Sequence, residues 1–382
     1  MNKNILYIVP SMNTGGVEIG ILEICKKNKE TGDFNVFVLT SGGKLVDKLK
    51  QYGATVLIDD VKSKNPLKVF LNIGKISGII KKYKIDLVQA ESRVPAWSAY
   101  FACKKRHVPF ITTVHGAYLT SGIFKKKYNS IMLKSNIVIA VSKFIKSYCL
   151  DNYRKYIDDQ SKIRILYRGI DENLFDKNNI KEIEIIDLQS KLNLPDNNTK
   201  TIITLPARLT PIKGQYYFLE VLNLLKNRNF LCLFVGELSK HKGYYEKLEK
   251  YIIDNDLTEN VRLCGNIENM KAIYTISDIV VSSTIIPESF GRVSIEAQAM
   301  EKIFIGTALG GTLETVKDGV NGFLAPHNDK EKFAELLEYV IGLDDKKKDE
   351  IRENARKNVL NNFTFDSFYK GLCNIYSEVL DR

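Results

Sequence analysis

Short apolar runs alternate with amphipathic stretches along this chain, and that alternation limits the fold more than any other feature. The strands predicted in the first half span 4–10, 34–40, 54–58, 85–90, 109–114, 136–141 and 163–167. Those predicted in the second half span 201–205, 230–235, 261–264, 279–281, 303–305 and 323–324. Strands that alternate with helices form parallel sheets covered by helices on both faces. The pattern therefore predicts an α/β fold made of two doubly wound sheets in succession.

The length of the chain agrees with two domains, because 382 residues exceed what one hydrophobic core of ordinary size can organise. A polar, poorly periodic stretch near 171–198 is predicted to connect them, so that the domains comprise residues 1–175 and 176–363. The last segment, 364–382, has apolar residues at helical spacing and is predicted to be a docked helix. Ligands of doubly wound sheets bind beyond the carboxyl ends of the strands, so we expect the site in a cleft between the domains.

Charge is distributed unevenly between the two halves of the chain, whose net charge is +11. Residues 1–176 contain 29 of the 56 Lys and Arg residues but only 15 of the 45 Asp and Glu residues. This basic first half predicts an anionic partner, either a membrane surface, a phosphorylated acceptor or nucleic acid. The alternative is a set of solvated lysines that share no partner.

The sequence predicts a cytoplasmic protein. No window approaches about 18 uninterrupted apolar residues, and the apolar run at the N-terminus is shorter than that of a signal peptide. The six cysteines include no close pair, so neither a disulfide framework nor a zinc site is predicted.

Lysines and apolar residues mix over 118–134, around Lys125, Lys126 and Lys127. This segment is either an interfacial contact with the inner face of the membrane or an ordinary surface helix.

The stretch 282–300 is the strongest candidate for a binding site. A β-branched run precedes small polar residues and a proline, and an apolar pattern of helical period begins after Gly291. Glu288 lies in the predicted loop, and Glu296 lies in the first turns of the predicted helix. Glycine lets a ligand approach the backbone, and a helix start offers unpaired N–H groups to an anion. Carboxylates beside an anion site favour a ligand that is anionic at one end and rich in hydroxyls at the other, such as a nucleotide sugar.

Cations suited to such a ligand follow the first strand of the second half. Arg208 and Lys213 both lie in the loop after the strand 201–205. The planar guanidinium of arginine and the compact ammonium group of lysine together suit a diphosphate. The alternative is two surface cations on an ordinary loop. The Asp-x-Asp motif at 254–256 lies at the polar end of a predicted helix with no strand before it, so no metal site is predicted.

Two strand ends in the first half carry related signals. Gly16 follows the first strand at a helix start, where the backbone can approach a phosphate or a sugar closely. The spacing around it is not that of a dinucleotide site. His115 directly follows the strand 109–114. It either hydrogen-bonds a sugar hydroxyl or a reacting group, or it has a structural role.

Taken together, these segments resemble the retaining nucleotide-sugar glycosyltransferases of family 4, the group 1 glycosyl transferases with the two-domain GT-B fold. The resemblance extends over nearly the whole chain. It rests on Gly15-Gly16-Val17-Glu18, Thr113-Val114-His115-Gly116, Ala140-Val141-Ser142, Arg168-Gly169-Ile170-Asp171, Ala207-Arg208-Leu209 with Lys213-Gly214, Pro287-Glu288-Ser289-Phe290-Gly291 to Glu296-Ala297, Gly310-Gly311 and Asp318-Gly319-Val320-Asn321-Gly322-Phe323. The two glutamates, together with Arg208 and Lys213, are its most specific part.

The resemblance implies a role for each candidate residue. Arg208 and Lys213 would neutralise the leaving diphosphate. Glu288 would contact the donor sugar, Glu296 the ribose hydroxyls, and His115 the reacting face. The other donor-binding residues it implies are Gly16, Asn266, Ile267, Ser289, Phe290, Gly291 and Arg292. It also implies two Rossmann-like domains that face each other across a cleft, the first for the acceptor and the second for the donor, with helix 364–382 returning to the first.

The implied activity is transfer of a hexose-type sugar from a UDP-linked donor to a hydroxyl of a glycan or lipid-linked acceptor, in synthesis of cell-envelope polysaccharide or lipopolysaccharide. No cofactor, metal or nucleic acid is expected to take part. The chain departs from the family pattern at Arg168, Ala207, Ser289 and Arg292, and none of these changes removes a charged group that the chemistry needs. Two alternatives stay open: a non-catalytic protein that binds nucleotides or polyanions, and a sugar-nucleotide epimerase of the same fold.

Overall fold

The protein consists of two compact α/β units. The computed structural model describes residues 2–13, 15–118, 122–194, 199–237 and 242–381. The first unit extends to Tyr167 and includes the C-terminal segment from Phe368, and the second unit is Arg168–Ser367. No helix within these described ranges is both long enough and apolar enough to cross a bilayer.

The first unit is built on one parallel seven-stranded sheet. Its strands are β1 (Lys3–Val9), β2 (Phe34–Thr40), β3 (Thr55–Ile58), β4 (Leu87–Ala90), β5 (Phe110–Val114), β6 (Ile137–Ala140) and β7 (Ile163–Ile165). Its α-helices are α1 (Gly16–Thr31), α2 (Val46–Gln51), α3 (Pro66–Lys82), α4 (Arg93–Arg106), α5 (Ile123–Asn129) and α6 (Lys143–Tyr153). The strand order is β3-β2-β1-β4-β5-β6-β7. Because the order reverses between β1 and β4, the loops after these two strands begin side by side.

The second unit has a parallel six-stranded sheet. Its strands are β8 (Thr201–Pro206), β9 (Phe230–Val235), β10 (Val261–Gly265), β11 (Ile279–Ser282), β12 (Ile303–Thr307) and β13 (Phe323–Ala325). Its α-helices are α7 (Glu182–Lys191), α8 (Gln215–Leu224), α9 (Lys242–Asp254), α10 (Met270–Ile276), α11 (Arg292–Ala299), α12 (Thr312–Thr315), α13 (Lys330–Ile341) and α14 (Asp345–Asn362). The strand order is β10-β9-β8-β11-β12-β13, so the reversal falls between β8 and β11. The predicted α/β fold with two parallel sheets is confirmed.

Buried apolar strands explain why both sheets are parallel and covered. All residues of β5, β6 and β9 are buried. Strands that are apolar on both faces need a helical layer on each side of the sheet, which parallel crossover connections supply. The core of the second unit includes Phe218 of α8, whose ring contacts those of Phe234 in β9 and Phe333 in α13.

The C-terminal helix α15 (Phe365–Leu380) is part of the first unit from Phe368 onward. Polar bonds attach it at several points along its length. Tyr369 donates to Asn28 Oδ1 at 3.0 Å, Tyr376 donates to Gln89 Oε1 at 2.6 Å, and Arg164 pairs with Glu378 at 2.6 Å. These contacts tie the end of the chain to α1, β4 and β7.

The predicted connecting stretch 171–198 is wrong in part, because helix α7 occupies its centre. Glu184 in the first turn accepts a hydrogen bond from the Lys181 backbone N–H at 3.1 Å, which satisfies one of the unpaired donors at the helix start. Leu188 is buried in a cluster with Ile202 and Leu233. The helix also contains three isoleucines, but Ile183 and Ile186 are exposed, so its apolar residues do not form a single buried stripe. The division between the units falls earlier than 175, between Tyr167 and Arg168.

We expect the stability of the second unit to depend on the protonation of Lys302. Its ammonium group donates to the Thr275 carbonyl at 2.9 Å, and burial lowers its pKa from 10.5 to about 8. Between these pH values the unfolded chain binds more protons than the folded one, so the free energy of unfolding rises with pH. Lys302→Met should therefore stabilise the protein at pH 7 by about 1–3 kcal/mol, and the gain should vanish near pH 10.

Urea unfolding of both proteins at pH 7 and pH 10 measures this difference. Lys346→Met, at an exposed lysine of α14, is the control and should be neutral at both values. A Lys302→Met variant that is equally destabilised at both pH values would contradict the prediction.

Candidate functional site

The two loops that carry the candidate donor residues start from adjacent strands of the second sheet. β8 and β11 pair in parallel, with Ile203 opposite Ile279, so their carboxyl ends lie together. Arg208 and Lys213 follow β8, and the loop that contains Glu288 follows β11. The reversal of strand order thus brings together residues that are about 80 positions apart in the sequence.

Backbone contact between these loops depends on Gly214. This residue has a φ of +71°, and a Cβ atom there would lie 1.9 Å from the Ser283 carbonyl oxygen. The Ile285 N–H donates to the Ile212 carbonyl at 3.1 Å, and the Thr284 hydroxyl donates to the same carbonyl at 3.0 Å. The second loop is therefore fixed against the turn that carries Lys213.

Lys213 and Glu288 form an ion pair in the structure. Both side chains are partly exposed, so the pair is accessible to a ligand. Arg208 lies exposed at the same edge, and among the described residues none pairs with its guanidinium. Gln215 fixes the backbone there by donating to the Arg208 carbonyl at 2.9 Å. Two cations and one carboxylate thus occupy the loops at one strand reversal.

A pair of glycines supports the Glu288 loop from its other side. The Gly311 N–H donates to the Glu288 carbonyl at 2.7 Å. A Cβ atom at Gly310 would lie 2.3 Å from that carbonyl, and one at Gly311 would lie 2.5 Å from the Phe290 Cα. The Gly310-Gly311 motif therefore allows the chain after β12 to lie directly on the loop.

Helix α11 begins directly after this loop. Gly291 precedes it with a φ of +89°, and the helix has no side-chain N-cap. Phe290 is buried, with its ring 5.8 Å from that of Phe363. Ser289 lies beside it and is partly buried. The Phe290 side chain therefore anchors the loop, which leaves the backbone as the only part of this residue available to a ligand.

Glu296 forms hydrogen bonds with two side chains, one from its own helix α11 and one from α10. Arg292 Nε lies 2.7 Å from one carboxylate oxygen, and the Tyr274 hydroxyl donates to the other at 2.8 Å. Burial raises the pKa of Tyr274 well above its usual range, with the Glu296 charge contributing in the same direction, so its hydroxyl stays a donor. Arg292, one of the implied donor-binding residues, pairs with Glu296 in this structure. The role of Glu296 toward a ribose stays a prediction.

Asn266 and Ile267 follow β10, the edge strand of the second sheet, two strands away from β8. Asn266 is exposed, whereas Ile267 packs against the cluster around Leu188. The Asp-x-Asp motif at 254–256 lies at the end of α9, with a left-handed φ at Asp256. Within the described ranges, no group of three or more His, Cys, Asp or Glu side chains is arranged to hold a metal ion.

Gly16 and His115 both belong to the first unit. A Cβ atom at Gly16 would meet no atom of the described residues within 4 Å, so local packing does not demand a glycine there. His115 Nε2 lies 2.5 Å from Glu91 Oε2, and the Glu91 side chain is only 3% exposed. Glu91 was not predicted from the sequence, although it directly follows β4 just as His115 directly follows β5, and a polar residue after a strand end was the signal that selected His115.

A directional chain of hydrogen bonds leads from the core of the first unit to His115. Burial raises the pKa of Tyr7 and of Tyr376 well above the usual range, so both hydroxyls remain protonated. Tyr7 and Tyr376 are 2.5 Å apart, Tyr376 donates to Gln89 Oε1, and Gln89 Nε2 donates to Glu91 at 2.6 Å. A carboxylate only accepts, so in the ionised form of Glu91 the proton of this bond is carried by His115 Nε2. Glu91 thereby holds the His115 ring from its buried side.

Comparison with known proteins agrees with this arrangement. Residues 14–174 match the family model described as Glycosyltransferase Family 4, and residues 189–358 match Glycosyl transferases group 1. A glycosyltransferase from Rickettsia africae is 37% identical, with 99% of each chain covered and a TM-score of 0.90. The chain belongs to the group 1 glycosyltransferases.

Two further proteins are similar to this glycosyltransferase over nearly its whole length. The capsular polysaccharide biosynthesis glycosyltransferase CapM of Staphylococcus aureus is 25% identical over 99% of this chain and 98% of its own. Anabaena HepE, solved in complex with UDP and glucose, has the same GT-B fold, with a TM-score of 0.83, 20% identity and coverage of 98% and 99%. The likeness to HepE concerns the fold.

We expect Glu91 to position His115 in this glycosyltransferase. In Glu91→Gln the amide can donate as well as accept, so the ring orientation and its proton are no longer determined, and kcat should fall about tenfold or more. The KM for the donor should stay unchanged, because the residues proposed to bind the donor belong to the second unit and Glu91 belongs to the first. Steady-state kinetics and the ring resonances of His115 measure both effects.

Glu30→Gln, at an exposed glutamate of α1 in the same unit, is the control and should leave both readouts unchanged. Normal kcat and an unaltered His115 resonance in Glu91→Gln would show that the pair is merely structural.

Proposed function

We propose that this protein is a retaining, metal-independent glycosyltransferase that moves a hexose from a UDP-linked donor to a hydroxyl of a glycan or lipid-linked acceptor. The observation that supports this most directly is the set of Arg208, Lys213 and Glu288 at the β8–β11 strand reversal. The relationship to CapM supports a setting in synthesis of cell-envelope polysaccharide or lipopolysaccharide. The protein would work at the cytoplasmic face of the membrane.

The donor would bind to the second unit. The guanidinium of Arg208 and the ammonium group of Lys213 would contact the diphosphate, and Lys213 would exchange its bond with Glu288 for bonds to phosphate oxygens. Glu288 would then accept hydrogen bonds from hydroxyls of the sugar. The backbone N–H groups near Gly291 would complete the diphosphate site at the start of α11. That HepE binds UDP, glucose and UDP-glucose supports the choice of donor.

In the reaction, the bond between the anomeric carbon and the diphosphate oxygen breaks with its electron pair leaving on the diphosphate. Fixed cations and N–H groups aimed at those oxygens stabilise the charge that develops there. The acceptor hydroxyl attacks the same face of the sugar, so the anomeric configuration is retained. Its proton passes to the departing phosphate oxygen, and His115, held by Glu91, orients the hydroxyl. In this scheme two protein cations take the place that a metal ion has in other transferases.

Removal of a cationic side chain that contacts the diphosphate is expected to lower turnover. Arg208→Ala should lower kcat about a hundredfold or more, because a transition-state contact is removed from a preorganised site. Glu288→Gln should lower turnover similarly, since its charge both positions Lys213 and binds the sugar. Donor hydrolysis and transfer assays measure these effects, and circular dichroism checks the fold.

Lys332→Ala, which removes an exposed cation of the same unit, is the control. Normal turnover in Arg208→Ala would exclude the proposed diphosphate contact. A non-catalytic polyanion-binding protein would bind many polyanions in a salt-sensitive way without any need for Glu288. An epimerase would convert the donor in the absence of an acceptor.

Metal independence has its own test. The proposed role of Arg208 and Lys213 predicts that EDTA leaves both turnover and the thermal stabilisation by UDP unchanged, and that added Mg²⁺ changes neither by more than about twofold. Loss of activity in EDTA that Mg²⁺ or Mn²⁺ restores would show that a metal ion, and not the two side chains alone, neutralises the diphosphate.

A further inference from the structure

An elongated groove in the first unit is not explained by the roles assigned so far. Its volume is about 1030 Å³, at the upper end of the roughly 300–1,000 Å³ that is common for small-molecule sites. Helices α3, α4 and α5 form its walls. Its lining also includes Pro10, Ser92 and Ala117, which lie in the loops after β1, β4 and β5. The groove therefore adjoins the loop that carries His115.

The floor of the groove is apolar and aromatic. Trp97 stacks between Phe101 and Tyr128, with ring centroids 6.4 Å and 6.1 Å apart, respectively. The Trp97 indole N–H donates to the Tyr128 carbonyl at 3.2 Å, so the row of rings is fixed in place. Phe70 on α3 projects into the groove and is 69% exposed. An exposed apolar surface of this size in a soluble unit is typical of a binding site.

Cations surround this apolar floor. Lys62, Lys64, Arg93 and Lys125 line the groove, and no described residue that lines it is acidic. Arg93 is held in place because it donates to Asn129 Oδ1 at 2.9 Å and stacks on the Tyr118 ring at 4.3 Å. A single apolar channel with cations alone at its edge fits a molecule that joins a long hydrocarbon chain to an anionic group.

We propose that the groove binds the acceptor itself, a lipid phosphate, with its hydrocarbon chain on the Phe70–Trp97–Phe101 floor and its phosphate or diphosphate at the cations. This inference rests on the proposed function, and it assigns the class of acceptor that the function left open. A free glycan or a free phosphate would leave the aromatic floor in water, and a neutral lipid would bring no negative charge to the cations that line the groove.

The arrangement also accounts for the position of His115. In a lipid-linked acceptor the phosphate joins the hydrocarbon chain to the sugar that bears the attacking hydroxyl. A chain lying between α3 and α4 with its phosphate at Arg93 directs that sugar toward the strand ends after β4 and β5. Glu91 and His115 belong to those same strand ends. The groove would thus fix the distance between the hydrocarbon chain of the acceptor and its reacting hydroxyl.

Trp97 allows a direct test, because it is the only tryptophan of the chain. Farnesyl phosphate, titrated below the concentration at which it forms micelles, should shift the Trp97 emission to shorter wavelength along a saturating curve. Farnesol should bind at least tenfold more weakly, since it lacks the phosphate, and inorganic phosphate should leave the emission unchanged. Equal binding of farnesol and farnesyl phosphate would overturn the role of the cations.

Substitutions test the apolar floor and the cations of the groove separately. Phe70→Asp should weaken farnesyl phosphate binding at least tenfold, whereas Ile183→Asp, at a residue of the second unit with 66% exposure, should not change it. The double charge reversal Lys62→Glu and Lys64→Glu should abolish the preference for farnesyl phosphate over farnesol. Its control is Lys104→Glu and Lys105→Glu, which makes the same change of net charge at the far end of α4.

Other occupants give different results. Binding to vesicles of anionic phospholipid without any Trp97 response to monomeric farnesyl phosphate would show a membrane-docking surface instead, and would overturn the proposal. Concentration-dependent dimers in analytical ultracentrifugation that Phe70→Asp abolishes would show that a second copy covers the groove. Thermal stabilisation by UDP, measured in the same samples, separates a failure of this inference from a failure of the proposed function. If UDP binds and farnesyl phosphate does not, the inference about the acceptor fails while the proposed function stands.

Discussion

Close contact between loops that follow neighbouring parallel strands is the constraint on which the second unit depends. Gly214 allows the turn after β8 to touch the loop after β11, and Gly310 allows the chain after β12 to support that loop from the other side. Any side chain at these positions would collide with the backbone carbonyl oxygen of Ser283 or of Glu288. Lys213 and Glu288 meet because both loops are held in this way. The ion pair is thus a consequence of backbone packing as much as of charge.

The first unit depends on a different interaction, which involves the buried carboxylate of Glu91. Glu91 would be costly in the interior without partners, and it accepts hydrogen bonds from both His115 and Gln89. The bonds continue through Tyr376, so the C-terminal helix takes part in the orientation of a histidine that follows β5. Deleting the end of the chain would therefore disturb His115 through the network as well as through lost packing.

Much of the fold could be predicted from the sequence, because strands buried on both faces leave continuous apolar runs that local periodicity detects. The alternation of strands and helices and the boundaries of most elements agree with the structure. Helix α7 was missed because its apolar residues do not form one buried stripe, since Leu188 is buried whereas Ile183 and Ile186 are exposed. The Arg292–Glu296 pair was also missed, since charge alone does not reveal whether a cation faces a ligand or a neighbouring carboxylate.

The sequence by itself determined that both sheets are parallel, that polar and glycine-rich loops follow their strands, and that Arg208, Lys213, Glu288 and His115 lie in such loops. These properties are local, and each is visible within about ten residues. Only the tertiary structure decided which loops meet, because strand order results from packing between distant segments. It paired Lys213 with Glu288 and His115 with Glu91, and it assembled three helices into one apolar groove edged by cations.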